Sequence, residues 1–311
     1  MDIILTKVPM TSPEIVDAIL ALDERQLSID LVENIYKCSP TSEEMEKLEN
    51  YRGDKKLLGK CEQHFLELMK VPRIESKMPV FRFKIGFSNQ LAELRKSLNI
   101  VNSTCDELRK SVKLKEVMKI ILYLGNILNQ GTARGAALGF KLDSLLKLTG
   151  TRTSGNTMTL MHYLCKVLAS DYPTLLDFHK DLVSLQSATK IQLKLLAEDM
   201  PYISNGLRKV KLELDASAND GPISKGFHET LKEFTAYAEK EVKTVSELYA
   251  DAGRNVNGLA RYFAESPDRY PFEQVSSTLS EFVRLFKDCD KENRKKAEAA
   301  RQKAEKEIEM T

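Results

Sequence analysis

Four histidines, five cysteines and a glycine-rich turn are the residues of this chain that could make or break bonds. His64, His162, His179 and His228 have no metal-ligand spacing with one another or with any cysteine. His162 falls among apolar helical neighbours and reads as a hydrogen-bonded, half-buried residue. The cysteines at 38, 61, 105, 165 and 289 are far apart, odd in number and form no C-x-x-C, so they read as buried free thiols of a reducing compartment. Gly125, Gly131, Gly135 and Gly139 never spell G-x-x-x-x-G-K-[ST], and no strand precedes them, which argues against a phosphate-cradling loop. No serine sits in a G-x-S-x-G elbow. The chain is therefore read as no enzyme, with no metal and no cofactor. What remains is the chemistry of recognition.

The stretch from Gly125 to Leu148, GNILNQGTARGAALGFKLDSLLKL, is where recognition would sit. It follows an apolar helical run (Val117, Met118, Ile120, Ile121, Leu122, Leu124), and Asn126 and Asn129 share a face of the continuing helix. Gly131 stands where a helix end often needs a left-handed residue. From Phe140 the spacing of Leu142, Leu145, Leu146 and Leu148 predicts a second helix. Each glycine inside a helix costs roughly 1 kcal/mol, so something approaches this backbone closely. It is either a tightly packed corner or a receptor for an inserted aromatic side chain or another chain.

Hydrophobic residues at 42% and charged residues at 30% suit a water-exposed helical protein, and sparse Val/Thr alternation predicts very little sheet. No run of 18 apolar residues exists and the first ten residues lack a secretory layout, so neither a membrane span nor a signal is expected. The net charge of +2 leaves any anionic partner to local patches. Residues 70–96 carry seven cations (70, 73, 77, 82, 84, 95, 96) against Glu75 and Glu93, a local excess of five. Arg109, Lys110, Lys113, Lys115 and Lys119 form a second group. Any one of these fits a solvated helix face. Together they suit an acidic protein better than nucleic acid, since aromatics are few.

The elements that would position these residues are helical throughout. Thr11-Ser12-Pro13-Glu14 starts a helix over 13–23, and two more follow over 28–38 and 41–50, the latter with a Thr41/Glu44 capping box. Further helices are expected over 55–70, 74–97, 100–111, 113–130 and 158–170. From Phe178 to Leu214 apolar residues step mostly by three and four, a heptad-like rod of about 40 residues and on the order of 60 Å, with Pro201 as a kink or restart. Residues 216–222 (ASANDGP) form the turn of a hairpin whose return arm carries Phe227, Leu231, Phe234, Ala238, Val242, Val245 and Tyr249. So short a turn favours antiparallel pairing within the chain; a parallel two-chain coiled coil is the alternative. A helix over 272–289 and a solvated charged tail over 287–310 complete the series.

Gly125-Asn126, Asn129, Gly131, Arg134-Gly135, Gly139-Phe140, Leu142, Leu145, Lys147 and Leu148 resemble the signature of the formin-homology-two domain. Met158 to Leu164 is most similar to plant formins of the second class. The resemblance implies an all-α fold: an elongated, crescent-like domain over 1–311, with a long antiparallel helical hairpin between a knob and a post. It also implies binding to actin monomers and filament barbed ends, with nucleation and processive capping by a ring of two chains, in the cytoplasm on the cytoskeleton. In that pattern Ile3 matches the knob isoleucine that enters a cleft on actin. Arg152 stands where a post lysine contacts actin, and Lys77 matches a third basic contact. Gly125, Asn126, Asn129, Gly131, Arg134, Gly135 and Phe140 would shape the post surface that receives a partner's aromatic lasso. The match begins at the knob and tryptophan is absent, so lasso and linker are expected to be missing, head-to-tail dimerisation lost and activity weak. Microtubule binding by basic helices is the second reading; nucleic-acid and membrane partners are not expected.

Overall fold

The computed structural model describes residues 10–153 and 158–309. Eleven α-helices carry the described chain: α1 (Ser12–Ala21), α2 (Ile29–Lys37), α3 (Ser42–Glu49), α4 (Lys60–Leu68), α5 (Ile74–Lys110), α6 (Val112–Leu128), α7 (Leu160–Asp171), the single turn α8 (Leu185–Ala188), α9 (Leu193–Ser217), α10 (Lys225–Tyr262) and α11 (Phe272–Glu309). Among the described residues the one strand-like feature is an antiparallel bridge between Arg152 and Thr159. The fold is all-α. Two compact units share the chain: Met1–Arg95 with Ala197–Glu247, and Lys96–Leu196 with Leu248–Thr311.

In the first unit the caps fall where the sequence puts them. The Thr11 amide donates to Glu14 at 2.7 Å, and Thr41 and Glu44 close the expected capping box. α1 buries Ile15, Val16 and Ile19 and packs on α4, where Ser12 Oγ meets His64 Nδ1 at 2.8 Å. The hairpin arms run antiparallel within the chain: Lys211 pairs with Glu239 at 2.5 Å and Ser217 meets His228 at 2.9 Å. Met200, Ile203, Leu207 and Val210 on one arm, and Phe227, Leu231, Ala238 and Val242 on the other, are buried. The α5 aromatics fill the gap between the arms. Phe87 meets Phe234 edge-on at 5.3 Å, and Phe83 lies so close to α9 that a Cβ on Gly206 would sit 2.1 Å from its ring. Glycine at 206 is a packing requirement.

The second unit corrects the expected rod. Residues 173–191 are not one helix but two 3-10 turns (Pro173–Leu175, Phe178–Asp181) followed by α8. Their apolar spacing serves burial of another kind: Phe178 stacks edge-on with Phe286 at 5.0 Å and lies 5.8 Å from Phe282, both on α11. Helical spacing is necessary for a rod but does not exclude short turns that bury the same residues. Pro201, by contrast, is absorbed inside α9. Helix α5 is continuous where two helices were expected, because Leu98 and Val101 are buried and carry the seam across the gap. The helix expected from Phe140 is a 3-10 segment, Leu142–Thr149, and that expected over 55–70 is a 3-10 turn followed by α4. α11 runs on through the charged tail without a break, and packs on α7, on the Leu142–Thr149 segment and on α8.

Lys77, expected on a contact surface, is 0% exposed. Its Nζ lies 2.6 Å from Asp220 and 3.1 Å from Glu213, over the Phe227 ring. Arg73 joins the same two acids. The cluster ties the start of α5 to the hairpin turn. This overturns the contact role, and the cause is plain: the acids that claim Lys77 lie more than 130 residues away in the sequence. Burial alone would raise the Asp220 carboxyl, but the Arg73 and Lys77 hydrogen bonds outweigh it and hold it down to about 2.

Removing one partner of such a buried pair costs about 3 kcal/mol or more. Lys77→Met should therefore lower the urea midpoint of unfolding by that equivalent, while Lys70→Met, on an exposed pair, should not. Asp220 is depressed in the folded state, so its stabilisation, on the order of 2 kcal/mol, is present above pH ~4 and is lost as pH falls towards 2. Asp220→Asn should flatten that part of an acid titration followed by circular dichroism.

Candidate functional site

The second unit presents the stretch 125–148 at its surface. Helix α6 is capped by Ser111, whose Oγ accepts from the Leu114 amide at 3.1 Å. It buries Leu114, Val117, Ile121 and Leu124, and leaves Tyr123 (67%), Ile127 (49%) and Leu128 exposed. Asn129 ends the helix and its Nδ2 donates back to the Gly125 carbonyl at 2.9 Å. Gly131 takes the left-handed conformation, φ 76°, that the sequence assigned it. Asn126 then clamps the far side of the loop: its Nδ2 donates to the Ala137 carbonyl at 3.0 Å and its Oδ1 accepts from the Ala137 amide at 2.7 Å. Both asparagines are thus spent on shaping the loop, a use that their shared helix face did not reveal.

The glycines divide by cause. A Cβ on Gly135 would stand 2.7 Å from the Asn129 carbonyl oxygen, so the loop's own backbone demands glycine there. Gly125 and Gly139 face open space, where a Cβ would meet nothing within 4 Å. None of the described residues requires those two to be small. Leu138 is fully exposed (100%), Arg134 is exposed and its guanidinium pairs with none of the described residues, and Phe140 is half-buried. The exit of the loop is pinned by Glu265, which accepts from the Leu142 amide at 3.3 Å and pairs with Lys141 at 3.2 Å. The result is a rigidly held apolar surface with small residues opening outward.

Arg152 lies just beyond. Its strand-like segment is fixed by the Leu160 amide donating to the Thr151 carbonyl at 2.7 Å and the Thr153 amide donating to the Met158 carbonyl at 3.0 Å. It lines a groove of about 480 Å³ between α7 and α11, with Thr159, His162, Lys166, Asn293 and Lys296. His162 is held as the sequence suggested: Nδ1 meets Thr159 Oγ1 at 2.7 Å and Nε2 meets Glu292 at 3.0 Å. Asn293 adds a bond to the His162 carbonyl at 2.9 Å. Lys166 and Lys296 come from separate helices and share no local pattern with Arg152, so spacing alone could not have grouped them.

Ile3 lies outside the described residues. The cation excess of 70–96 is largely consumed within the protein. Besides Arg73 and Lys77, Arg82 pairs with Glu33, Lys84 with Glu24, and Arg95 with Glu241. In the second group Arg109 and Lys110 meet Asp106, Lys113 meets Asp177 and Lys119 meets Glu116. Four cysteines are buried and Cys61 is half-buried. Burial pushes the Cys105 thiol up to about 12 and raises Cys165 and Cys289 as well, so none of these three is a thiolate at neutral pH. Among the described residues no three histidine, cysteine or acidic side chains gather as a metal site.

The chain has clear relatives. A family model described as Formin Homology 2 Domain matches residues 1–287. Formin-like protein 5 of Oryza sativa subsp. japonica is 60% identical over 308 residues, covering 99% of this chain and 19% of that protein. Formin-like protein 20 of Arabidopsis thaliana is 61% identical over 303 residues, covering 97% of this chain and 18% of that protein. Formin-like protein 21b of Arabidopsis thaliana is 58% identical over 309 residues, covering 99% of this chain and 77% of that protein. The chain thus spans about a fifth of the length of the first two.

The glycine division is testable without any partner. Gly135→Ala forces a methyl against a carbonyl oxygen and should cost about 1–3 kcal/mol in thermal unfolding. Gly139→Ala should leave stability unchanged within about 0.5 kcal/mol.

Proposed function

Because the chain belongs to the Formin Homology 2 family, we propose that it is an actin-assembly domain, binding actin subunits and filament barbed ends through protein–protein contact. The observation that carries the reading is the held, outward-opening surface of 125–140, with Gly125 and Gly139 facing empty space beside exposed Tyr123, Ile127 and Leu138. A clamped loop in which two glycines have no use among the described residues suits a surface that receives another chain's side chains. We assign it to the aromatic lasso of a second formin-homology-two chain. Gly125, Asn126, Asn129, Gly131, Gly135 and Phe140 shape it, and Arg134 stands at its edge.

Contact with actin itself is assigned to Arg152 and, at the knob, to Ile3, which lies outside the described residues. An arginine offers a planar fork to a carboxylate where a lysine offers a point charge. Lys166 and Lys296 enlarge the same cationic groove. Two chains joined through the lasso surface would hold two actin subunits side by side, replacing an unfavourable encounter of free subunits with an oriented one. Nucleation and processive capping follow from that geometry. The microtubule reading rested on the cation clusters, and it loses ground now that most of those cations are paired inside the chain.

Filament co-sedimentation tests the assignment. Arg152→Glu and Ile3→Ala should each weaken actin pelleting about tenfold or more, with unchanged circular dichroism. Lys70→Glu, on an exposed pair elsewhere, should not. Wild-type binding by the Arg152→Glu protein would overturn the reading. Ile127→Asp with Leu138→Asp should abolish capture of a lasso segment from a second chain and leave Arg152-dependent pelleting intact.

A further inference from the structure

The connection between α10 and α11 carries Ser266-Pro267-Asp268-Arg269, and its place beside the docking stretch assigns it a role. Ser266 is exposed, and its hydroxyl bonds to none of the described residues. Its own carbonyl accepts from the Arg269 amide at 3.1 Å and the Tyr270 amide at 2.8 Å, which presents the side chain at a tight surface turn. A serine followed by proline, with a cation three residues on, is the type of acceptor used by proline-directed protein kinases. The residue before it is Glu265, the same carboxylate that holds the Leu142 amide and the Lys141 ammonium. Glu265 is largely buried, at 9% side-chain exposure, whereas Lys141 is exposed at 72% and free to change partner.

We propose that Ser266 is a phosphorylation site whose modification releases the exit of the docking stretch. A kinase transfers the γ-phosphoryl group of a nucleoside triphosphate to Ser266 Oγ; the new P–O bond forms as the bond to the diphosphate breaks, and the hydroxyl proton passes to the kinase. The product carries nearly two negative charges next to Glu265. It repels that carboxylate and draws Lys141 to itself by a stronger, charge-assisted bond. Glu265 then loses its cation, and with it the geometry that accepts from Leu142. The loop 131–141 keeps the Asn126 clamp on Ala137 and the buried Leu142 side chain beyond it, but loses the backbone bond that fixes its exit. The consequence for docking rests on the function proposed above; the structural release does not.

The test treats the full 311-residue chain with a proline-directed serine/threonine kinase and ATP, maps the phosphate by tandem mass spectrometry and follows hydrogen exchange over residues 140–145. One phosphate at Ser266 is expected, with exchange at the Leu142 amide rising about fivefold or more. Ser266→Ala should take up no phosphate there and keep the slow exchange. Glu265→Gln should show the fast exchange without kinase and no further rise with it. Absence of phosphate at Ser266 overturns the site. Phosphate at Ser266 with unchanged Leu142 exchange, as when Arg269 alone captures it, overturns the release. Since exchange is read without actin, failure of the actin assignment shows separately, as lost Arg152 dependence in pelleting.

Discussion

A buried ion cluster sets the terms for the first unit. Arg73 and Lys77, one turn apart at the start of α5, are held by Glu213 and Asp220 from the hairpin. Three charges removed from water, with the half-buried Arg73 at their edge, are tolerated only when each is matched and hydrogen-bonded, so the turn between α9 and α10 has one place to sit. Once it is seated, the hairpin arms face α5 in register. Phe83 and Phe87 then reach Gly206 and Phe234, and the aromatic cluster closes. The hydrophobic area supplies the stability, and the charges choose which packing it stabilises.

The same economy explains why the cationic surface is smaller than a count along the chain suggests. Lysines and arginines of α5 meet acids brought by the loop after α1, by α2 and by α10, so a local excess in sequence is offset in space. A different set of cations marks the second unit. Arg152, Lys166 and Lys296 converge on one groove of the second unit, and the loop 125–140 stands beside exposed apolar residues that no part of the described unit covers.

The loop shows how rigidity and openness are combined. Gly135 answers to the backbone of its own turn and Asn126 binds both polar groups of Ala137, so the loop's shape is decided internally. Gly125 and Gly139 answer to nothing among the described residues. A surface held in one conformation loses little entropy when it binds, which is the advantage of spending two asparagines and a buried glutamate on ordering it. Glu265 is the most distant of these supports in sequence, and the most exposed to control by its neighbour.

Much of this was legible in the residues themselves. The helical class, the caps at Thr11 and Thr41, the antiparallel hairpin after residue 215 and the left-handed Gly131 follow from local rules, because capping, turn chemistry and apolar period act over a few residues. Resemblance in the same stretch pointed to the family that the wider comparison established. Tertiary structure alone decided the rest: that Lys77 is interior, that residues 173–191 turn rather than form a rod, and that Arg152 shares a groove with Lys166 and Lys296. The reason is common to all three. Burial and charge pairing depend on neighbours from other elements, many of them a hundred or more residues away, and no periodicity within one segment records which side chain will arrive beside it.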